Sequence, residues 1–380
     1  MPDKTTTKTD KSASKHEKIS IAYFITPHGF GHAARAAAIM AEIHDLNQAV
    51  FFEIYTLIPD WFFQDSLGPY FRVHPVRTDI GLIQKSPLQE DLPATLQSLA
   101  DFIPFNLKLL EELANEITNL SCRIVLCDIA PLGIAIAHKA SLPSVLIENF
   151  TWDWIYQAYL HEYAKFAPII DYLKEIFNSA AFHIQTEPIC EPDFKANLTT
   201  HPVSRRNRLN LEEVQEKLAI PPGVKTIMIT MGGIQTDYNF LARLRRIKDT
   251  YFVIPGIGSN SRIEDNLILL PHHSNYFHPD LVNACDAVIG KTGYSTVSEV
   301  YHAGVPYGFV SRPKFRESEK MAVFIGEKIS GFEISEQDFS KGDWVSRLPE
   351  LFSFKRVRRK ELNGAIQVAN FILPLLDRHR

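Results

Sequence analysis

The stretch Asp286-Ala-Val-Ile-Gly-Lys-Thr-Gly-Tyr-Ser-Thr-Val-Ser-Glu299 decides how this chain is read. Its apolar start reads as a buried strand, its glycines as a tight turn and its end as a helix. Gly290 and Gly293 let the backbone come close to a ligand. The N–H groups around Tyr294, Ser295 and Thr296 would face an anion at the head of that helix, and Lys291 adds a full positive charge. A pyrophosphate suits such a place. Glu299 falls about one turn into the helix, where its carboxylate could accept hydrogen bonds from a ribose diol. The alternative for Lys291 alone is a solvated surface lysine.

Working outward, His302-Ala-Gly-Val-Pro306 stops the helix and a strand follows over 306–310. Upstream, 226–230 reads as a strand and Met231-Gly-Gly-Ile-Gln235 as a second glycine turn, with Gly232 and Gly233 at its centre. A helix over 240–247 and strands over 251–254, 267–270 and 287–290 complete one α/β series. The first half repeats the pattern. A strand over 19–26 is followed by the turn Pro27-His-Gly-Phe-Gly-His32, a helix over 33–44 and a strand over 50–55. Strands over 123–128, 144–147 and 181–185 and a helix over 131–140 extend it. Residues 60–105 are irregular and aromatic, and 192–210 lacks periodicity and reads as a linker. Strand–turn–helix–strand units imply parallel sheets. The expectation is an α/β chain of two Rossmann-like domains facing a cleft, over 19–200 and 211–352. Residues 1–18 are expected as a disordered tail and 353–380 as a helix returning to the first domain.

In the first turn, Gly29, Phe30 and Gly31 bring the backbone near a ligand, and His32 stands at the start of a helix. The pattern is not G-x-G-x-x-G, so a dinucleotide site is not expected. Asp128 ends a central strand, and ligands of open α/β sheets lie beyond the carboxyl ends of the strands. His32 and Asp128 could therefore face one crevice, where a carboxylate fixes an imidazole's tautomer so that it can take a hydroxyl proton. The bland alternatives are a His and an Asp that only cap helices. Phe150-Thr-Trp-Asp-Trp154 adds aromatic faces suited to a sugar or an apolar acceptor, with Trp152 and Asp153 as acceptor-side candidates. Core filling is the alternative. Lys355-Arg-Val-Arg-Arg-Lys360 is a basic run on an expected C-terminal helix, usually a solvated face and less often a weak membrane-surface contact.

Composition removes other classes. At 380 residues the chain has room for two cores, and its net charge of −4 gives no basic field for nucleic acid. Four cysteines, none paired as C-x-x-C, make no zinc ribbon or disulfide framework. The N-terminus has no apolar signal core and no stretch is long and apolar enough to span a bilayer, so a cytoplasmic location is expected. Neither a metal nor a resident cofactor is expected.

The block from Gly290 to Glu299 resembles the donor-site segment of the GT-B glycosyltransferases, which in plant UDP-sugar transferases reads H-C-G-W-N-S-T-L-E. The resemblance implies that Gly293 stands for that family's glycine, Glu299 for its ribose-binding acid and Lys291 for its phosphate-binding histidine. The pieces Thr296-Val-Ser-Glu299 and Ala303-Gly-Val-Pro306 are also similar to the MurG family, which transfers N-acetylglucosamine from UDP. That family's glycine turns match Gly29-Phe-Gly-His32 in part and Gly232-Gly233. In the plant enzymes the histidine is the catalytic base, held by an aspartate, and His32 and Asp128 match those roles. Glu317 and then Glu319 match the acids that hold sugar hydroxyls, with ordinary surface acids as the alternative. The D-x-D motif of the other large transferase architecture, which holds its nucleotide sugar through a metal, is absent.

A fuller resemblance is to the N-terminal, glycosyltransferase-like half of plant L-arabinokinases and to bacterial single-domain relatives. It rests on Thr26-Pro-His-Gly-Phe-Gly-His-Ala-Ala-Arg35, Asp128-Ile-Ala-Pro131, Glu148-Asn-Phe-Thr-Trp-Asp-Trp154 and the Gly290–Glu299 block. No Gly/Ser-rich phosphate loop of the kinase half occurs, so kinase activity is not expected. The implied function is metal-independent, inverting transfer of a sugar from a nucleoside diphosphate, UDP foremost, to an acceptor hydroxyl. A nucleotide-sugar 2-epimerase and a non-catalytic nucleotide-sugar-binding module are the alternatives.

Overall fold

The computed structural model describes residues 18–377, apart from 87–88, 233–237, 313–314 and the side chain of Ser86. Two seven-stranded sheets organise the described residues. The first is built from β1 Ile19–Ile25, β2 Val50–Thr56, β3 Phe71–Pro75, β6 Cys122–Asp128, β7 Ser144–Glu148, β8 Phe182–Thr186 and β9 Leu198–Thr200, in the order β3-β2-β1-β6-β7-β8-β9. A small hairpin of β4 Gln84–Ser86 and β5 Gln89–Glu90 stands apart. The second comprises β10 Lys225–Thr230, β11 Thr250–Pro255, β12 Arg262–Glu264, β13 Leu267–Leu270, β14 Ala287–Lys291, β15 Tyr307–Val310 and β16 Gly331–Ile334. Its order is β12-β13-β11-β10-β14-β15-β16; β13-β11-β10-β14-β15-β16 repeats the first six strands of the other sheet, and β12 adds antiparallel at the edge while every other pairing is parallel.

The sequence explains these strands directly. Strands covered by helices on both faces need unbroken apolar runs, and every residue of β1 is buried. The edge strands are short and half-polar, and so are not evident as runs. β9 lies inside the stretch read as a linker, because Leu198–Thr200 adds to the edge of β8.

Topology then places the functional ends. β1 and β6 are neighbours, with Ile25 in register with Asp128, so the turn after β1 lies beside the end of β6. Helix Phe30–Leu46 starts in that turn, its N-cap Gly29 holding a φ of 83° that side chains rarely adopt. In the second sheet Thr230 is in register with Gly290, which sets the turns after β10 and β14 side by side. Helix Tyr294–Ala303 starts from the latter turn. The two helix heads meet across the cleft: a Cβ on Gly31 would lie 3.9 Å from the Ser295 nitrogen.

The chain crosses between the lobes twice. Helix Gly364–Asp377 returns to the first sheet, where the His201 N–H donates to Gln367 and the Gly364 N–H to the Pro202 carbonyl. Asn363 Nδ2 donates to the Ser204 carbonyl at 2.8 Å, tying one crossing to the other. The basic run at 355–360 is not a helix. Arg356 and Arg359 donate to the carbonyls of Ala303 and Tyr301, capping the end of helix Tyr294–Ala303. The last carbonyls of a helix have no partner within it, and here arginine side chains supply the donors.

Candidate active site

A cavity of about 400 Å³ lies between the carboxyl ends of the two sheets. Gly29, Phe30, Gly31 and His32 line one wall, and Lys291, Gly293, Tyr294, Ser295 and Thr296 line the other. A narrower cavity of about 120 Å³ continues from it, sharing Phe30, Gly232, Ser295 and Thr296.

His32 and Asp128 are brought together, Nδ1 to Oδ1 at 3.1 Å, both buried. A third residue shares the pair. Arg35, one turn beyond His32 and 1% exposed, grips both Asp128 oxygens at 2.7 Å. It also donates to Asn149 at 2.7 Å and Thr186 at 3.2 Å, and lies 4.6 Å from the Tyr294 ring centre. Burial pushes the Asp128 carboxyl upward, but the Arg35 guanidinium and then His32 outweigh it and hold it below the usual range. Asp128 is therefore an anion, and its best partner for His32 is an Nδ1–H. Arg35 Nη2 also lies 3.3 Å from Nδ1, but an unprotonated Nδ1 would set its lone pair against the Asp128 anion at 3.1 Å, so the proton belongs on Nδ1. That tautomer leaves Nε2 as the basic nitrogen at the cavity wall. Asp128 does not cap the helix beginning at Pro131, whose N-cap is Ala130.

Across the cleft, Lys291 lies against the second glycine turn. A Cβ on Gly232 would stand 3.0 Å from Lys291 Nζ, and Gly232 has a φ of 73°. Burial and then Arg312 pull the Lys291 ammonium down to about 8, with Glu317 partly offsetting them. His28, on the same cavity wall, is pushed down to about 3 by burial and by the charges of His32, Arg312 and Lys291, and so is neutral. Glu317 is buried on the cavity wall, where its Oε1 accepts from Asn149 Nδ2 at 2.9 Å. Asn149 thus bonds Arg35 on one side and Glu317 on the other, a polar bridge between the lobes.

The narrower cavity has aromatic walls. Trp61 stacks on His273 at 4.2 Å, and Phe30 lies 5.1 Å from His272. Glu299 lies behind this cavity rather than open to it. Its Oε1 accepts from Arg205 at 3.1 Å and its Oε2 meets His278 Nδ1 at 2.6 Å. Burial pushes its carboxyl up, yet Arg205 and His278 hold it below the ordinary range. Arg205 and His278 themselves line the cavity, so Glu299 presents cationic and imidazole donors more than its own oxygens.

Several expected residues stand elsewhere. Glu319 is exposed near the start of helix Arg316–Lys328, on a face that turns away while Glu317 turns in. Trp152 is buried one layer behind the wall, donating to Asp79 at 3.0 Å and packing edge-on against His28 at 5.1 Å. Asp153 lines a separate groove with Glu148 and His183. Gly233 lies outside the described residues. Among those described, no group of side chains could hold a metal ion, and no helix is long and apolar enough to cross a membrane. Sequence reasoning missed Arg35, Asn149, Arg205 and Arg312. Arg35 alone carried a signal, as an arginine inside an alanine-rich helix with no acid one turn away.

Residues 19–349 match the family described as glycosyl transferase family 1. The chain belongs to glycosyl transferase family 1. This family 1 chain is 27% identical over 377 residues to an L-arabinokinase of Arabidopsis thaliana, a match covering 95% of the chain and 34% of that protein. It therefore spans about a third of that relative's length. The calicheamicin glycosyltransferase CalG4 has the same fold, with a TM-score of 0.62 at 14% identity over 96% of this chain and 99% of CalG4. UGT71G1 of Medicago truncatula, solved with UDP-glucose, gives a TM-score of 0.58 at 12% identity, covering 94% of this chain and 98% of that one. UGT89C1 of Arabidopsis thaliana, solved with UDP, gives 0.60 at 13%, covering 94% and 100%. At these identities the likeness establishes the GT-B fold of the family 1 chain.

Proposed function

We propose that this chain transfers a sugar from a nucleoside diphosphate, UDP foremost, to an acceptor hydroxyl, with inversion and without a metal. The observation that carries this reading is the placement of the His32 imidazole, backed by a carboxylate, opposite Lys291 and a helix head across one cavity. In this reading the nucleoside lies in the aromatic cavity and the diphosphate at Gly232, Ser295 and Thr296. Lys291 and the helix N–H groups take up its charge. Glu317 accepts from sugar hydroxyls. His32 Nε2 removes the acceptor proton while the acceptor oxygen attacks the anomeric carbon. The bond from that carbon to the phosphate oxygen breaks from the opposite face, its electron pair leaving with the diphosphate. The proton on His32 then passes to solvent. The UDP-glucose and the UDP in two of the structural relatives support a UDP donor.

The test is calorimetric titration of UDP and UDP-sugars, followed by turnover assays with small hydroxyl acceptors. UDP is expected to bind, and His32→Ala is expected to lower turnover by ~10²–10⁴-fold with UDP affinity retained. A chain that binds no nucleoside diphosphate, or a His32→Ala variant with full turnover, would remove this reading. A non-catalytic binding module is favoured by one observation: both Asp128 oxygens are already engaged by Arg35. UDP binding with no turnover in any acceptor screen would establish it.

A further inference from the structure

Arg312 lines the larger cavity apart from the turn where a diphosphate would lie. Arg312 is 6% exposed, and its Nε is buried with no hydrogen-bond partner among the described residues. Its guanidinium lies over the Phe315 ring at 4.2 Å and lines the larger cavity. The opposing charges near it are Glu317 and Glu90, with the Tyr159 hydroxyl, and they offset only part of its burial. Glu317 has one oxygen committed to Asn149. Among the described lining residues, Lys291 and Arg312 stand with one carboxylate, Glu317. Arg312 has no ion pair among the described residues, a costly state for a buried guanidinium, and a planar carboxylate arriving with a ligand is its best-matched partner.

Position says which part of a ligand that is. Lys291 packs against Gly232, one of the residues shared with the aromatic cavity. Arg312 belongs to the larger cavity alone, with Leu82, Gln84, Phe150 and Phe315. With the nucleoside in the aromatic cavity and the diphosphate at the shared lip, the group that reaches Arg312 is the one beyond the diphosphate. We propose that the donor sugar is a uronic acid, and that Arg312 selects it by binding its carboxylate. This rests on the nucleotide-sugar reading above and names the class of sugar.

The test titrates the full chain with UDP, UDP-glucose, UDP-glucuronate and UDP-galacturonate. One of the two uronates is expected to bind ~10-fold or more tightly than UDP-glucose, the margin of a charge-assisted hydrogen-bonded pair. Arg312→Met should abolish that margin while UDP affinity stays within about twofold, and Arg312→Lys should keep part of it. Equal binding of glucose and both uronates by the unaltered chain overturns the proposal without needing any variant. So does an Arg312→Met variant that loses UDP as strongly as uronate, which would make Arg312 a diphosphate ligand. A preference that survives Arg312→Met also overturns it. If the preference appears only for acidic acceptors and not for acidic donors, the carboxylate belongs to the acceptor and the proposal falls. Failure to bind UDP at all is a different result, and it removes the nucleotide-sugar reading together with this inference.

Discussion

At the residue scale, the surprise is how many partners Asp128 has. A dyad aspartate serves an imidazole, but this one is gripped on both oxygens by a fully buried guanidinium. Removing one member of a buried ion pair leaves the other uncompensated, at about 3–5 kcal/mol, against about 1 kcal/mol for a lost single hydrogen bond. Stability therefore weighs more on Arg35–Asp128 than on His32–Asp128. Asp128→Asn should lower stability by ~3–5 kcal/mol in urea unfolding, whereas His32→Ala should cost only ~1 kcal/mol. Equal, small losses in both would show that Arg35 finds another partner.

Lys291 gives a second residue-scale outcome. With its ammonium near 8, it is charged below that pH and neutral above it. An anion binds the charged form, so diphosphate affinity should be flat below about pH 8 and fall as pH rises past it, because the proton must then be taken up. Lys291→Arg should flatten that fall, since a guanidinium keeps its proton. Calorimetry of UDP from pH 6 to pH 10, with about a tenfold loss per unit at the upper end, checks it. A profile with no break between pH 7 and pH 9 places Lys291 away from the anion.

The pairing of His32 with Asp128 was legible in the sequence because both stand where parallel strands end, and adjacent strands bring their ends together. Arg35 was missed despite its alanine-rich surroundings, because an arginine in a helix is usually solvent-facing and its partners come together only when the fold packs around it. Arg312 sits in a polar-looking stretch between a strand and a helix, where nothing local distinguishes a surface arginine from one enclosed by the other lobe.

At the element scale, helix Tyr294–Ala303 does most of the positioning. Its head faces the cavity, Tyr294 meets Arg35, and Glu299 one turn on orients Arg205 and His278. Its end is fixed by Gly304, whose φ of 67° and whose approach to the Val357 carbonyl leave no room for a Cβ. Glu299→Gln should weaken UDP binding by ~1–3 kcal/mol, by releasing Arg205 and His278 from a charged anchor. Calorimetry showing unchanged affinity would mean that those two donors do not touch the nucleoside. The central strands and this helix were readable because buried parallel strands are continuously apolar and glycines punctuate them. The edge strands β3, β9 and β16 were not, being short and half-polar. The helix expected over 240–247 is shorter, Leu241–Leu244, and the basic run at 355–360 became a strap because its arginines had carbonyls to meet.

At the scale of the whole molecule, the proposed reading meets the donor's charge with a helix head, Lys291 and Arg312, and among the described residues no cluster of metal-binding side chains stands beside them. Turnover should therefore survive EDTA. Activity that disappears on chelation and returns with magnesium or manganese would contradict this. The lobes are also held across the cleft, by Asn149 to Glu317 and by Arg316, which donates to the Trp154 carbonyl and lies 3.9 Å from the Trp154 ring centre.

The two crossings of the chain carry one more consequence. A body hung on a single thread can swing, twist and slide, but one hung on two pins can only turn about the line through both. Asn363 and Ser204 fasten the crossings to each other, and the Gly364 N–H and Pro202 carbonyl do the same beside them. Opening of the cleft is then expected to follow one arc about these crossings.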